Sequence, residues 1–260
     1  MTNPKNHHYN SRFLLEGFCE DNSHKLFIYD LEKEEIRSQI PKEVACEVNF
    51  YSLLINGKLD VQLEKEFGDI ESNAAPVIEK FKKLLPLTEQ EKKDLSKFIA
   101  LSRVRTPSFL NNLGALKISF EEAKKFEEKP VIEFTQPRTI EIKRDVVLQD
   151  PFIRWYLTYL EDKILNLKWT LFKAPPGRIF ITSDNPLCSM IDPSTHKGDG
   201  IGLVNEFENP TTLLSLPLSK EFCWVGYLTP EKEKSYCHFQ KTVAVISEVD
   251  CSSFLIYFIN

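Results

Sequence analysis

Only five histidines occur in 260 residues, and two of them, His7 and His8, stand side by side in "NHHYNSRFLLEGF" at positions 6–18. An imidazole titrates near neutrality, so either ring could act as a general acid or base. Adjacent side chains diverge on a helix or a strand, so the two rings cannot easily share one target. One of them can equally be a hydrogen-bonded anchor in a polar approach to the first helix. Tyr9 and Arg12 follow directly and could bind a substrate. Glu64 and Glu71 form a second group. At about 100° per residue they lie within about 20° of each other on a helix, beside its apolar face. Their spacing is about 10 Å along the axis, which suits two carboxylates lining one groove but not a dyad sharing one proton. An amphipathic helix with a charged shoulder explains them as well.

The segment "SRVRTP" supplies Arg103 and Arg105. A guanidinium can grip a phosphate or carboxylate bidentately, or pair with a neighbouring glutamate. The two fall on opposite margins of the stripe made by Leu95, Phe98, Ile99 and Phe109, so they should not serve one site together. In "FITSDNPL" an apolar strand over Arg178–Thr182 ends in Ser183, Asp184 and Asn185. Small polar residues at a strand end make a tight turn or a site at the sheet rim, and Asn-Pro is strong turn chemistry. Asp184 could orient a histidine or bind a metal. No phosphate-cradling glycine loop, dinucleotide fingerprint, zinc-protease motif or nucleophile elbow is present. "HKGDGIG" at 196–202 lacks a flanking strand and helix and reads as a loop.

The elements that must position these residues follow from periodicity. Tyr9, Phe13, Leu14, Gly17 and Phe18 recur at helical spacing, and two short strands follow around a polar turn over 24–41. Leu63, Phe67, Ile70, Ala74, Val77, Ile78 and Phe81 mark one face of a long helix over 61–85. "TEQE" at 88–91 signals a capping box and a second helix to about Thr106, which Pro107 should end or kink. A third helix is expected near 113–127 and another near 150–165. The last third reads as strands at "LKWTLFKAP", "RIFITSDNPL", "TTLLSLPLSKEFCWVGYL" and "SSFLIYFIN", with a helix at 232–249. This order predicts an α+β fold: a helical layer (about 61–127 and 150–165) on a mixed or antiparallel sheet built mostly by the C-terminal third. The length suits one domain over 1–260, with a hinge near 129–144 between a helix-rich and a strand-rich half.

Composition narrows the function classes. The net charge is −5 with both signs interspersed, which disfavours duplex DNA as a partner but allows RNA or a small nucleotide in a local pocket. The six cysteines form no C-x-x-C pair, which excludes a zinc ribbon and suits buried reduced thiols in the cytoplasm. No apolar run is long enough to span a bilayer, so no membrane partner is expected.

In this order "HHYNSRFLLEGF", "LFIYD", "NFYS", "LEKEFGDIE", "RVRTP", "FITSDNPL" and "LPLSKEF" resemble a bacterial family known as domain of unknown function 4238. Its members look like H-H-Y-V-P-x-F at the start and S-D-N-P before a closing P-L-S-P. Here Asn10-Ser11 replace Val-Pro and Lys220 replaces a second proline, departures expected to lie in turns of little consequence. The resemblance brings no established activity. It implies that His8, Tyr9, Glu64, Glu71, Arg105, Asp184 and Asn185 match polar positions that recur in the family, which favours a site over packing alone.

Should these groups converge, the kit suits hydrolysis at a phosphodiester by a nuclease-like enzyme acting on RNA or a nucleotide. The kind of small bacterial protein it resembles adds a toxin or phage-defence setting. His7, His8, Glu71, Arg105 and Asp184 are then the catalytic candidates, and Tyr9, Arg12, Arg103 and Asn185 the substrate-binding ones. In a metal-free version His8 is the base and Arg105 stabilises the phosphorane. In a metal-dependent version Glu64, Glu71 and Asp184 hold Mg²⁺ or Mn²⁺. The competing expectation is a non-catalytic module that binds a ligand or a protein partner, its polar cluster serving as a structural network.

Overall fold

A computed structural model describes residues 6–20, 23–31, 33–55, 58–60, 62–112, 151–190, 207, 212–228 and 256–258. The helix expected at 113–127, the hinge at 129–144, the loop at 196–202 and the helix at 232–249 lie outside them. The described chain is α+β. Three helices form a layer: α2 (Gln62–Lys82), α3 (Glu89–Val104) and α5 (Pro151–Leu165). Two shorter ones are α1 (Arg12–Glu16) and α4 (Pro107–Asn112).

The middle helix, α3, packs against both α2 and α5. Its sequence is apolar on more than one face, and Leu95, Phe98, Ile99, Ala100, Leu101 and Val104 are all buried, as a helix sandwiched by neighbours requires. The predicted capping box starts it. Thr88 Oγ1 accepts the Glu91 N–H and the Glu91 carboxylate accepts the Thr88 N–H. The same carboxylate takes Lys80 Nζ at 2.7 Å, tying the end of α2 to the start of α3. On α2, Phe67, Ala74, Val77 and Ile78 are buried, and the helix runs through Pro76. Packing of that face holds it where the proline removes a backbone donor.

The C-terminal strands β7 (Lys168–Lys173), β8 (Cys188–Met190), β9 (Leu213–Pro217) and β10 (Phe222–Tyr227) form one antiparallel sheet in the order β7-β10-β9-β8. Both its central strands are buried almost throughout, because both faces are covered. Trp224, Leu214 and Leu216 join the main core with the helices. Phe81 of α2 lies edge-on to Trp169, and Trp169 edge-on to Trp224, an aromatic chain from helix to sheet. Leu213, Cys223 and Val225 pack on Phe180 in a second cluster. This corrects one expectation: Arg178–Thr182 is not a ladder strand. In this run the Phe180 N–H donates to the Lys220 carbonyl at 2.9 Å and the Arg178 N–H to the Pro175 carbonyl at 3.0 Å, and Phe180 joins that second cluster.

The N-terminal third adds small sheets. β1 (Asn6–His8) pairs antiparallel with β4 (Cys46–Val48), and β2 (Leu26–Asp30) with β3 (Glu35–Gln39). β11 (Ile256–Phe258) joins β2 in parallel, and β5 (Leu53–Ile55) pairs with β6 (Lys58–Asp60). No described helix is long and apolar enough to cross a membrane.

Immediately after α1 the chain is clamped onto the late sheet. The Lys220 N–H donates to the Gly17 carbonyl at 3.0 Å. A Cβ on Gly17 would stand 3.0 Å from both the Leu218 carbonyl and Ser219 Cβ, whereas one on Gly68 of α2 meets nothing within 4 Å. Gly17→Ala should therefore destabilise by about 1–3 kcal/mol through overpacking. Gly68→Ala should stabilise by up to about 1 kcal/mol through helix propensity. Urea unfolding of the two variants tests this, and equal effects would refute the docking geometry.

Candidate functional site

Period-two alternation in β1 turns His7 and His8 to opposite sides. His7 is fully buried and His8 half-buried. His7 Nδ1 accepts the backbone N–H of Tyr51 at 3.0 Å, and the two rings stack with centroids 5.9 Å apart. An accepting Nδ1 assigns the ring proton to Nε2. Glu64 Oε2 lies 3.8 Å from the same Nδ1. The backbone carbonyls of Pro41 and Lys42 bond His8, yet burial dominates and lowers its pKa.

Arg105 caps the C-terminal end of α3, where the helix stops two residues before Pro107. Its carbonyl, left over by the helix end, accepts the Tyr51 hydroxyl at 2.8 Å. Its side chain is only 1% exposed. One guanidinium nitrogen donates to Glu71 Oε1 and the other to Ser11 Oγ. Ser11 Oγ in turn donates to the same Glu71 oxygen at 2.8 Å. Ser11 sits at the N-cap of α1 but makes no side-chain cap bond. A serine there ordinarily caps; this hydroxyl is spent on the Arg105–Glu71 pair instead.

The turn after Arg178–Thr182 is organised by Ser183, whose Oγ accepts the Asn185 N–H at 3.2 Å. Asn10, fully buried, donates from Nδ2 to the Ser183 carbonyl at 3.0 Å. Asp184 is 5% exposed. Its charge adds to burial in pushing the Tyr9 hydroxyl well above its ordinary pKa. The segment 7–11 thus touches α2, the end of α3 and the 183–185 turn together.

Glu64 and Glu71 lie on one side of α2 with unlike company. Glu71 has a guanidinium and a hydroxyl. Among the described residues Glu64 receives no hydrogen bond, and burial, reinforced by the charge of Glu71, pushes its carboxyl up to about 7. Their side chains are 25% and 26% exposed.

The structure therefore gathers His7, His8, Tyr9, Glu64, Glu71, Arg105 and Asp184, with Asn185 in the adjoining turn. Arg12 stands apart as an exposed partner of Glu16 at 3.0 Å on α1. Arg103 acts electrostatically on Cys188 of β8, whose Sγ donates to the Asn185 carbonyl at 3.8 Å. Glu64, Glu71 and Asp184 are not assembled as metal ligands: among the described residues no group of three or more His, Cys, Asp or Glu is placed to hold an ion. Asn10 and Ser11, expected in an inconsequential turn, are fully buried parts of the network. Tyr51 was not legible as a site residue. Its "NFYS" context shows only an apolar run, and its two polar bonds are long-range.

Among the described residues several buried polar atoms here have no hydrogen-bond partner: His8 Nε2, Asn10 Oδ1, Arg105 Nε, Ser52 Oγ beside Tyr51, and Thr182 Oγ1 beside Ser183; Ser96 Oγ of α3 and Trp224 Nε1 of β10 are two more. Such atoms are uncommon in folded proteins.

Over residues 6–250 the chain matches the family model described as Protein of unknown function (DUF4238), and it belongs to that family. No curated protein and no solved structure matches it.

Two measurements probe the cluster. Folded Glu64 holds its proton up to about 7 while the unfolded carboxyl releases it near 4.5. Between these values the native state binds more protons, so stability falls as pH rises through that window and levels off above it. Urea midpoints from pH 4.5 to 8 should show this decline, and Glu64→Gln should flatten it; an unchanged slope in the variant contradicts the assignment. Arg105→Met should cost about 2–4 kcal/mol by leaving Glu71 uncompensated, with part recovered in Arg105→Met/Glu71→Met. Strictly additive losses would show that the pair is not coupled.

Proposed function

We propose that this DUF4238 member is a hydrolase acting on RNA or a nucleotide by proton transfer between carboxyl and imidazole groups. The observation that carries the reading is the set of buried polar atoms without partners among the described residues, beside two partly exposed carboxyl groups. A purely structural network satisfies its own donors and acceptors; this one retains capacity for a ligand.

The roles follow from the surroundings. Glu64, protonated up to about 7, is the group suited to give and take a proton near neutral pH. Proton transfer of this kind contributes about 10²–10⁴-fold to a rate. His8 offers a second titrating group with an uncommitted nitrogen. Arg105 acts through Glu71, holding that side chain in place, and is a positioning residue. His7 and Tyr51 brace Glu64 and Arg105. Asp184 fixes the electrostatics around Tyr9. A toxin or phage-defence effector is the setting proposed for such an activity.

One observation favours a second reading, a non-catalytic module that binds a ligand or a protein partner. Arg105 is sealed from solvent and bonded to Glu71 and Ser11, as a clamp for the N-terminal segment would be. The two readings separate on turnover. Purified protein incubated with labelled tRNA, mRNA, single-stranded DNA and nucleotides, with and without Mg²⁺ or Mn²⁺, should convert at least one of them. Glu64→Gln should reduce that conversion at least 100-fold with unchanged thermal stability at pH 8. Absence of conversion in every mixture would exclude the hydrolase and leave the binding module.

A further inference from the structure

We propose that the bond cleaved at this site is the N-glycosidic bond of a nucleoside or nucleotide, with Glu64 protonating the departing base and Glu71 steadying the sugar cation. This rests on the hydrolase reading above and names its substrate bond.

The first argument is the asymmetry of the two glutamates. Glu71 accepts hydrogen bonds from Arg105 and from Ser11 at 2.8 Å, which fix its carboxyl group in place. Glu64 faces His7 Nδ1 at 3.8 Å, and that nitrogen is itself an acceptor, committed to the Tyr51 N–H. Burial, reinforced by the charge of Glu71, pushes the Glu64 carboxyl up. Two carboxyls on one side of α2, one raised by burial and one bonded to a guanidinium, are suited to the roles of acid and electrostatic partner that glycosidic cleavage uses.

The second argument is the sign of the charge that the site can tolerate. Attack on a phosphodiester builds negative charge, which needs an uncommitted cation. The guanidinium here is already neutralised by Glu71, and the partly exposed groups beside it are carboxylates. Cleavage of a glycosidic bond instead builds positive charge on the sugar, which a fixed carboxylate attracts.

The third argument concerns recognition. Arg105 Nε, in a residue only 1% exposed, retains a donor, and Asn10 Oδ1, in a residue 0% exposed, retains an acceptor. Sugar hydroxyls both donate and accept. Tyr9, half-buried and tilted against Phe50 at 5.9 Å, offers an aromatic face for the leaving base.

The step balances. The C1′–N bond breaks with its electron pair going to the base, which takes the proton of Glu64. The resulting sugar cation stands against Glu71 until water adds at C1′, and the proton released by that water restores Glu64. One water is consumed, and free base and sugar are formed, with no redox change.

The experiment analyses products by chromatography after incubation of the full chain with adenosine, AMP and a short RNA. Free base from at least one of these, lost at least 100-fold in Glu64→Gln, is the expected result. Strand scission or phosphate release without free base would overturn this inference and leave the hydrolase reading standing. No product of either kind would overturn both. Glu64→Asp, which keeps the carboxyl, should retain part of the base release; equal loss in both variants would assign Glu64 a merely structural role and overturn the inference.

Discussion

A single guanidinium organises the described parts of this protein. Arg105 stands at the end of the central helix and is almost wholly removed from water. A buried cation is tolerable only if a partner and hydrogen bonds replace its hydration. Glu71 supplies the charge from α2, Ser11 the oxygen from the start of α1, and Tyr51 closes the helix end. These bonds join segments up to 94 residues apart in the chain. The N-terminal segment, the helical layer and the loop before β5 therefore hold one relative arrangement.

The geometry around that cation breaks local rules. Ser11 leaves its helix uncapped to serve the ion pair. Ala45 and Asn49, on either side of β4, adopt positive φ values of 51° and 55°, a region that non-glycine residues seldom enter. Tyr9 donates its backbone N–H to the Ala45 carbonyl at 2.8 Å. Departures of this kind persist when surrounding contacts over-determine them, and they gather where side chains must be aimed rather than merely packed. Positive φ values also occur at His24, Glu34 and Leu84, while the capping box at Thr88 is complete.

The charge arrangement gives the cluster its character. Glu71 is bonded to a guanidinium and a hydroxyl, whereas burial and the charge of Glu71 push the Glu64 carboxyl up to about 7. Seven residues of helix separate Glu71 from Glu64, and that spacing keeps them on one side while giving each different company.

Much of the fold was legible in the amino-acid sequence. The helical faces of α2 and α3, the cap at Thr88, the stop at Pro107 and strands β7, β9 and β10 of the late sheet follow from patterns within a few turns of chain, whereas β8 was not read as a strand. The acidic margin of α2 was visible for the same reason, since 3.6-residue periodicity puts Glu64 and Glu71 together. Tertiary structure decided the rest. Arg178–Thr182 reads as a strand, but Phe180 joins the cluster of Leu213, Cys223 and Val225 and the run makes no ladder. Asn10 and Ser11 read as turn residues because serine and asparagine favour turns, yet their partners lie 173 and 60 residues away. Arg105 was distinguishable from Arg103 by face but not by fate, because pairing with Glu71 depends on how α2 and α3 pack. Local sequence determines which surfaces are apolar and where helices begin and end; only the packed fold determines which polar groups lose their water, and so which of them must find one another.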